Sequence, residues 1–123
     1  MSCRLVFDQD QISNKTRTAI DDARKNADGL AISDITLLEL ATLAIKRRIR
    51  LDISLESFLQ EVESRFVVLP ISGRACARGM GLPATYPKDP ADRIIGATAL
   101  VEGLSLLTAD REIRRSKMVK TIW

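Results

Sequence analysis

Apolar positions fall along the chain in two patterns, short unbroken runs and longer stretches with a helical period. Arg4 to Phe7 is a brief apolar run, too short to assign to strand or helix. Ser13 is a plausible N-cap for a polar segment from Asn14 to Asn26. Its only apolar stripe is Ala19, Ile20 and Ala23, which predicts a surface helix closed by Gly29. Leu30, Ala31 and Ile32 form a second apolar run ending at Ser33-Asp34. A helical pattern carried by Leu37, Leu38, Leu40, Ala41, Leu43, Ala44 and Ile45 then takes over. Ser54 caps a helix through Phe58, Leu59 and Val62, Phe66 to Leu69 is expected to be a buried strand, and Ser72 caps a short helix through Ala75, Cys76 and Ala77. Glycines and prolines mark GMGLPATYPKD, from Gly79 to Asp89, as a loop. Asp89 and Pro90 then open a largely apolar helix through Ile94, Ile95, Ala97, Thr98, Leu100 and Val101. Gly103 ends it, and Leu104, Leu106 and Leu107 read as a buried strand that stops at Thr108-Ala109-Asp110. A turn of helix from Arg111 to Arg115 and a last strand from Met118 to Trp123 complete the pattern.

Strands alternating with helices predict an α/β fold, three layers deep, with a small parallel sheet between helices. Within it, about 13 helical residues after Asp89 descend roughly 20 Å, and five to six strand residues climb back nearly as far. The ends meet. Asp92 near the helix start and Asp110 past the strand are therefore expected to face each other across one cleft, at the edge where α/β sheets place their sites. The loop before Asp89 is expected at the rim of that cleft.

Composition narrows the chemistry. The 123 residues, 46% of them hydrophobic, suit a single domain over 1–123. No stretch approaches the roughly 20 apolar residues of a membrane helix, and MSCRLVFDQD lacks the apolar run of a signal peptide, so a cytoplasmic protein with no membrane partner is expected. Cys3 and Cys76 have no metal-type spacing and fit a reduced compartment. The net charge of +3 favours an acidic partner only weakly. Absence of histidine excludes Ser-His-Asp and Cys-His sites and the usual imidazole zinc site, and no glycine-rich nucleotide fingerprint follows a strand. Oxygen ligands remain, and they suit hard cations such as Mg²⁺ or Mn²⁺. Glu39, set among apolar neighbours, joins Asp92 and Asp110 as a candidate. Each acid also has a plainer role open to it: Asp92 in a favourable first helical turn, Asp110 as a turn or cap residue, Glu39 on a solvated face. Lys46, Arg47, Arg48 and Arg93 are candidates for phosphate contacts, although a basic cluster such as Lys46 to Arg50 is more often a solvated helix end.

The helix ISDITLLELATLAIKRRIRL with Glu39, the block KDPADRIIGATALVEGLSLLTAD with Asp92 and Asp110, and the ending VKTIW together resemble the PIN domain of VapC toxins, from about Ile12 to Trp123. The resemblance implies a ribonuclease that uses Mg²⁺ or Mn²⁺, with Glu39, Asp92 and Asp110 as catalytic metal ligands and Thr108 or Ser33 orienting a metal-bound water. It also implies an RNA substrate, a cognate antitoxin and a homodimer. One part of the family pattern is not matched. PIN domains place an aspartate directly after a central first strand, followed by Thr or Ser, whereas RLVFDQDQIS resembles a later stretch, so the chain is expected to be N-terminally incomplete relative to the family. Alternatively Leu5 to Phe7 is the first strand and Asp8 the missing ligand. A vacant centre would leave two rows of buried backbone groups unpaired, each costing on the order of 1 to 3 kcal/mol. Residues Cys3 to Phe7 are therefore expected to enter it, bringing Asp8 toward Asp92 and Asp110, unless the strand is lacking and the domain unstable. The second functional reading is an incomplete PIN domain that binds a partner or RNA without cleavage.

Overall fold

The structure, a computed structural model, describes residues 2–3, 18, 30–47 and 50–123. Its strands are β1 (Ser2–Cys3), β2 (Ala31–Ser33), β3 (Val67–Leu69), β4 (Leu106–Leu107) and β5 (Thr121–Ile122). The helices are α1 (Asp34–Ile45), α2 (Leu55–Arg65), α3 (Gly73–Met80), α4 (Pro90–Glu102) and α5 (Arg111–Ser116). The strands form one sheet in the order β3-β2-β1-β4-β5, and every pairing is parallel.

The centre of the sheet is filled. Ser2 pairs with Ala31 on one side and Leu106 on the other, and Cys3 pairs with Leu107, so β2 and β4 are separated by the N-terminal residues rather than joined. The expected strand from Cys3 to Phe7 is met at Cys3, with Ser2 added; Arg4 to Phe7 and Asp8 lie outside the described residues. So do Arg48 and most of the helix expected from Asn14 to Asn26, of which Thr18 is described as helical and exposed. A central strand has ladder bonds to both neighbours. Cys3→Pro removes one such donor and constrains the backbone, and we expect a loss of about 3 kcal/mol or more in a urea unfolding curve.

Leu106 and Leu107 show how the layers are built, because successive strand residues point to opposite faces. Leu106 belongs to a core with Leu82, Tyr86, Ile95, Ala99, Ile113 and Val119, supplied mainly by α4, α5 and the segment after α3. Leu107 belongs to a second core with Ile32, Leu40 and Val62, supplied by α1 and α2. One core on each face of a parallel sheet is the expected three-layer α/β/α arrangement. The helix starts follow local chemistry: Ser33, Ser54 and Ser72 accept from Ile35, Ser57 and Ala75 backbone N–H groups, and Gly103 closes α4 with φ 66°.

Two expectations change. The strand after α2 is not buried: Val67 is 56% exposed, and Val68 and Leu69 are half-buried, because β3 is the sheet's edge. Phe66 serves as the C-cap of α2 instead of the strand's first residue. The loop expected from Gly79 starts later, since α3 runs to Met80, and its Tyr86 is wholly buried rather than at a rim.

Candidate active site

In a parallel sheet every strand ends at the same edge, and here that edge gathers the turns that carry the acids. Asp34 and Ser33 stand where β2 passes into α1, and Asp110 stands between β4 and α5. Asp92 lies in the first turn of α4, a helix that packs across β1 and β2.

The start of α4 is strongly specified. Asp89 Oδ1 accepts from Ala91 N at 2.9 Å, Pro90 supplies a first-turn residue with no N–H to satisfy, and Asp92 follows in the positive end of the helix dipole. Asp92 is only 7% exposed, and its own backbone carbonyl accepts a hydrogen bond from Tyr86 Oη at 3.0 Å. Carboxylates are rarely that buried without a specific purpose.

Asp110 is the N-cap of α5. Its Oδ1 accepts from Glu112 N at 2.9 Å and Ile113 N at 3.1 Å, while Oδ2 takes no part in the cap. Thr108, 2% exposed, accepts from Asp110 N at 3.1 Å, so the hydroxyl fixes the backbone of the acid. Ser33 likewise serves α1, accepting from Ile35 N at 3.4 Å.

Glu39 is half-buried on α1, between exposed Leu38 and buried Leu40. Thr36, one turn earlier on the same side, is 3% exposed. Its Oγ1 and Asp34 Oδ1 are buried without a hydrogen-bond partner among the described residues, whereas Asp34 Oδ2 accepts from Ile71 N at 3.3 Å. The other buried helical threonine, Thr98, donates to Ile94 O at 2.7 Å. Sequence reasoning passed over Thr36 and Asp34; the spacing of three between Thr36 and Glu39 was the signal that could have found the first.

Among the described residues, no three His, Cys, Asp or Glu side chains come close enough together to hold a metal ion. The donors at the edge are nonetheless all oxygens, and two buried polar atoms there have no partner among the described residues, which suits a hard, oxygen-seeking cation with its water shell.

The basic candidates are placed less favourably. Lys46 and Arg47 are exposed at the far end of α1, about 18 Å of helix from the edge. Arg93 is turned to the protein, its guanidinium donating to four backbone carbonyls, of Gly79, Leu82, Pro83 and Tyr86. The expected phosphate contact at Arg93 is therefore not supported.

Known proteins resemble this chain in sequence and in architecture. The PIN domain family model matches residues 5–117, a span that includes Glu39, Asp92 and Asp110. The chain is 38% identical over 107 residues to ribonuclease VapC22 of Mycobacterium tuberculosis (strain ATCC 25618 / H37Rv), covering 85% of this chain and 82% of that protein. Among solved structures, DNA-bound VapBC from Salmonella typhimurium matches with a TM-score of 0.62 and 28% identity, over 82% of this chain and 80% of that one. VapBC2 from Rickettsia felis, bound to a promoter DNA fragment, shares the fold with a TM-score of 0.66 at 20% identity, over 89% and 84% of the two chains. The family model over most of the chain and the extent of these matches lead to one conclusion: the chain belongs to the PIN domain family.

Proposed function

We propose that this protein is a VapC-type toxin, an endoribonuclease that depends on a divalent metal ion. The likeness to ribonuclease VapC22, extending over most of both chains, is the observation that carries this function. Glu39, Asp92 and Asp110 would hold the ion, directly or through water, and Mg²⁺ or Mn²⁺ suits their oxygen donors. A divalent ion bound here supplies Lewis acidity, activating water and neutralising charge on the leaving oxygen of a phosphodiester. The chain's own contribution is position. The Asp89 cap and Pro90 fix the turn that presents Asp92, and the double backbone cap at Asp110 Oδ1 leaves Oδ2 to meet the ion. Thr36 Oγ1 lies one turn from Glu39, where a hydroxyl with no partner among the described residues can bond a water of the ion's shell.

The partner on this reading is an antitoxin, since solved relatives are VapBC and toxin-antitoxin complexes. A basic side chain from its tail would complement the carboxylates. A homodimer and a cytoplasmic location go with the same proposal; among the described residues no helix is long and apolar enough to cross a membrane.

The test is cleavage of total RNA by the purified chain. Cleavage is expected with Mn²⁺ or Mg²⁺ and not in EDTA, and cleavage that persists in EDTA would defeat the metal-dependent reading. Co-expression with the product of the adjacent short gene is expected to give a stable complex on size exclusion, whereas two separately eluting proteins would remove the antitoxin.

A further inference from the structure

We infer that Tyr86 and Arg93 act together as positioning residues for Asp92, so that the segment after α3, and not α4 alone, sets where that carboxylate stands. The inference rests on the proposed role of Asp92 as a metal ligand. Arg93 Nη1 donates to Gly79 O at 3.1 Å and Leu82 O at 2.8 Å, and Nη2 donates to Pro83 O and Tyr86 O, both at 3.3 Å. A planar guanidinium is suited to gathering several carbonyls, and these include the Gly79 carbonyl in the last turn of α3, at its negative end. The far end of the same segment turns inward. Tyr86 is fully buried, and its Oη donates at 3.0 Å to the carbonyl of Asp92, the residue next to Arg93.

Two consecutive residues of α4 are thus tied to one segment, residue 93 through its side chain and residue 92 through its backbone. Close approach makes the tie stiff. A Cβ on Gly79 would lie 3.1 Å from Arg93 O, and one on Gly96 would lie 2.7 Å from Tyr86 Cζ, so α3 and the tyrosine ring seat directly on the α4 backbone. A segment with only a packing role would need neither the hydroxyl nor the fork. An apolar ring would fill the same space, and any cation would answer the α3 dipole.

Tyr86→Phe and Arg93→Lys separate the two roles, with Val62→Ala, in the core on the opposite face of the sheet, as a control for general destabilisation. Mn²⁺ binding is read from the free-ion EPR signal on the full chain, alongside the thermal midpoint without metal. Loss of a group that orients a metal ligand typically weakens metal binding about 10- to 100-fold. We expect Tyr86→Phe to weaken Mn²⁺ binding about 10-fold and Arg93→Lys at least as much, while Val62→Ala binds like the parent at a comparable or larger loss of midpoint. Wild-type affinity in both Tyr86→Phe and Arg93→Lys, with the parent binding Mn²⁺, would overturn the positioning role alone. A parent chain that takes up no Mn²⁺ would overturn the metal reading of Asp92 and this inference with it.

Discussion

Asp92→Asn is expected to abolish metal-dependent RNA cleavage and to remove the rise in thermal midpoint that Mn²⁺ gives the parent chain. The substitution keeps the size of the side chain and removes its charge, so the helix start with its Asp89 cap and Pro90 remains intact. Groups that merely orient a metal ligand are worth about 10- to 100-fold, so a direct ligand should cost at least that much in activity. The stabilisation follows from mass action: an ion that binds only the folded chain at 100 times its Kd adds about 2.7 kcal/mol. Asp110→Asn is expected to act on the metal in the same direction while retaining the cap through its side-chain oxygen. Unchanged Mn²⁺ stabilisation in Asp92→Asn, measured by differential scanning fluorimetry, would place the ion elsewhere.

A large stability effect is also expected at Gly96. Its helical position would ordinarily gain up to about 1 kcal/mol from alanine. Here the new Cβ would meet Tyr86 Oη and stand 2.7 Å from Cζ, and a wholly buried ring has no free space to retreat into. Overpacking of this kind costs typically about 1 to 3 kcal/mol, occasionally more. Gly96→Ala should therefore lower the thermal midpoint by roughly 4 to 12 °C for a domain of this size. Gly73, where nothing lies within 4 Å of a new Cβ, is the natural comparison, and Gly73→Ala is expected to stay within about 0.5 kcal/mol of the parent. Equal midpoints for the two variants would show that Tyr86 does not sit against α4.

These predictions draw on features that differ in how far the sequence revealed them. The caps at Ser54, Ser72 and Asp89, the Pro90 start and the Gly103 stop were all legible, because each acts on backbone at most a few residues away; the cap at Ser33 was not read from the sequence. The apolar runs that became β2 and β4 were legible for the same local reason. The partial exposure of β3 was not, since edge position is a property of strand order and the pattern of Phe66 to Leu69 is equally that of an interior strand. The central strand followed from the family resemblance, which places a strand there, and from the cost of an empty slot rather than from any period, as two residues carry none.

At the site, the placement of Asp92 and Asp110 at helix starts could be anticipated from Pro90 and from Thr108-Ala109-Asp110. What stayed hidden were contacts across long sequence separations or through the chain's turning back on itself. Arg93 looks like a basic residue beside an acid until four carbonyls are found around it, and Tyr86 looks like a loop residue until its ring is found beneath Gly96. The orphaned hydroxyl of Thr36 is similar: its burial depends on the neighbours of α1, while its sequence context offers only a spacing from Glu39.

The central claim is that Glu39, Asp92 and Asp110 hold the ion on which RNA cleavage depends. Crystals grown with Mn²⁺ and measured with anomalous scattering test it most directly, because the ion's position is then seen independently of any assay. The account predicts an anomalous peak at the carboxyl edge of the sheet, within about 2.0 to 2.6 Å of at least two of the three carboxylates or bridged to them by water. A peak bound by other residues, or none at Mn²⁺ concentrations that support cleavage, would contradict it.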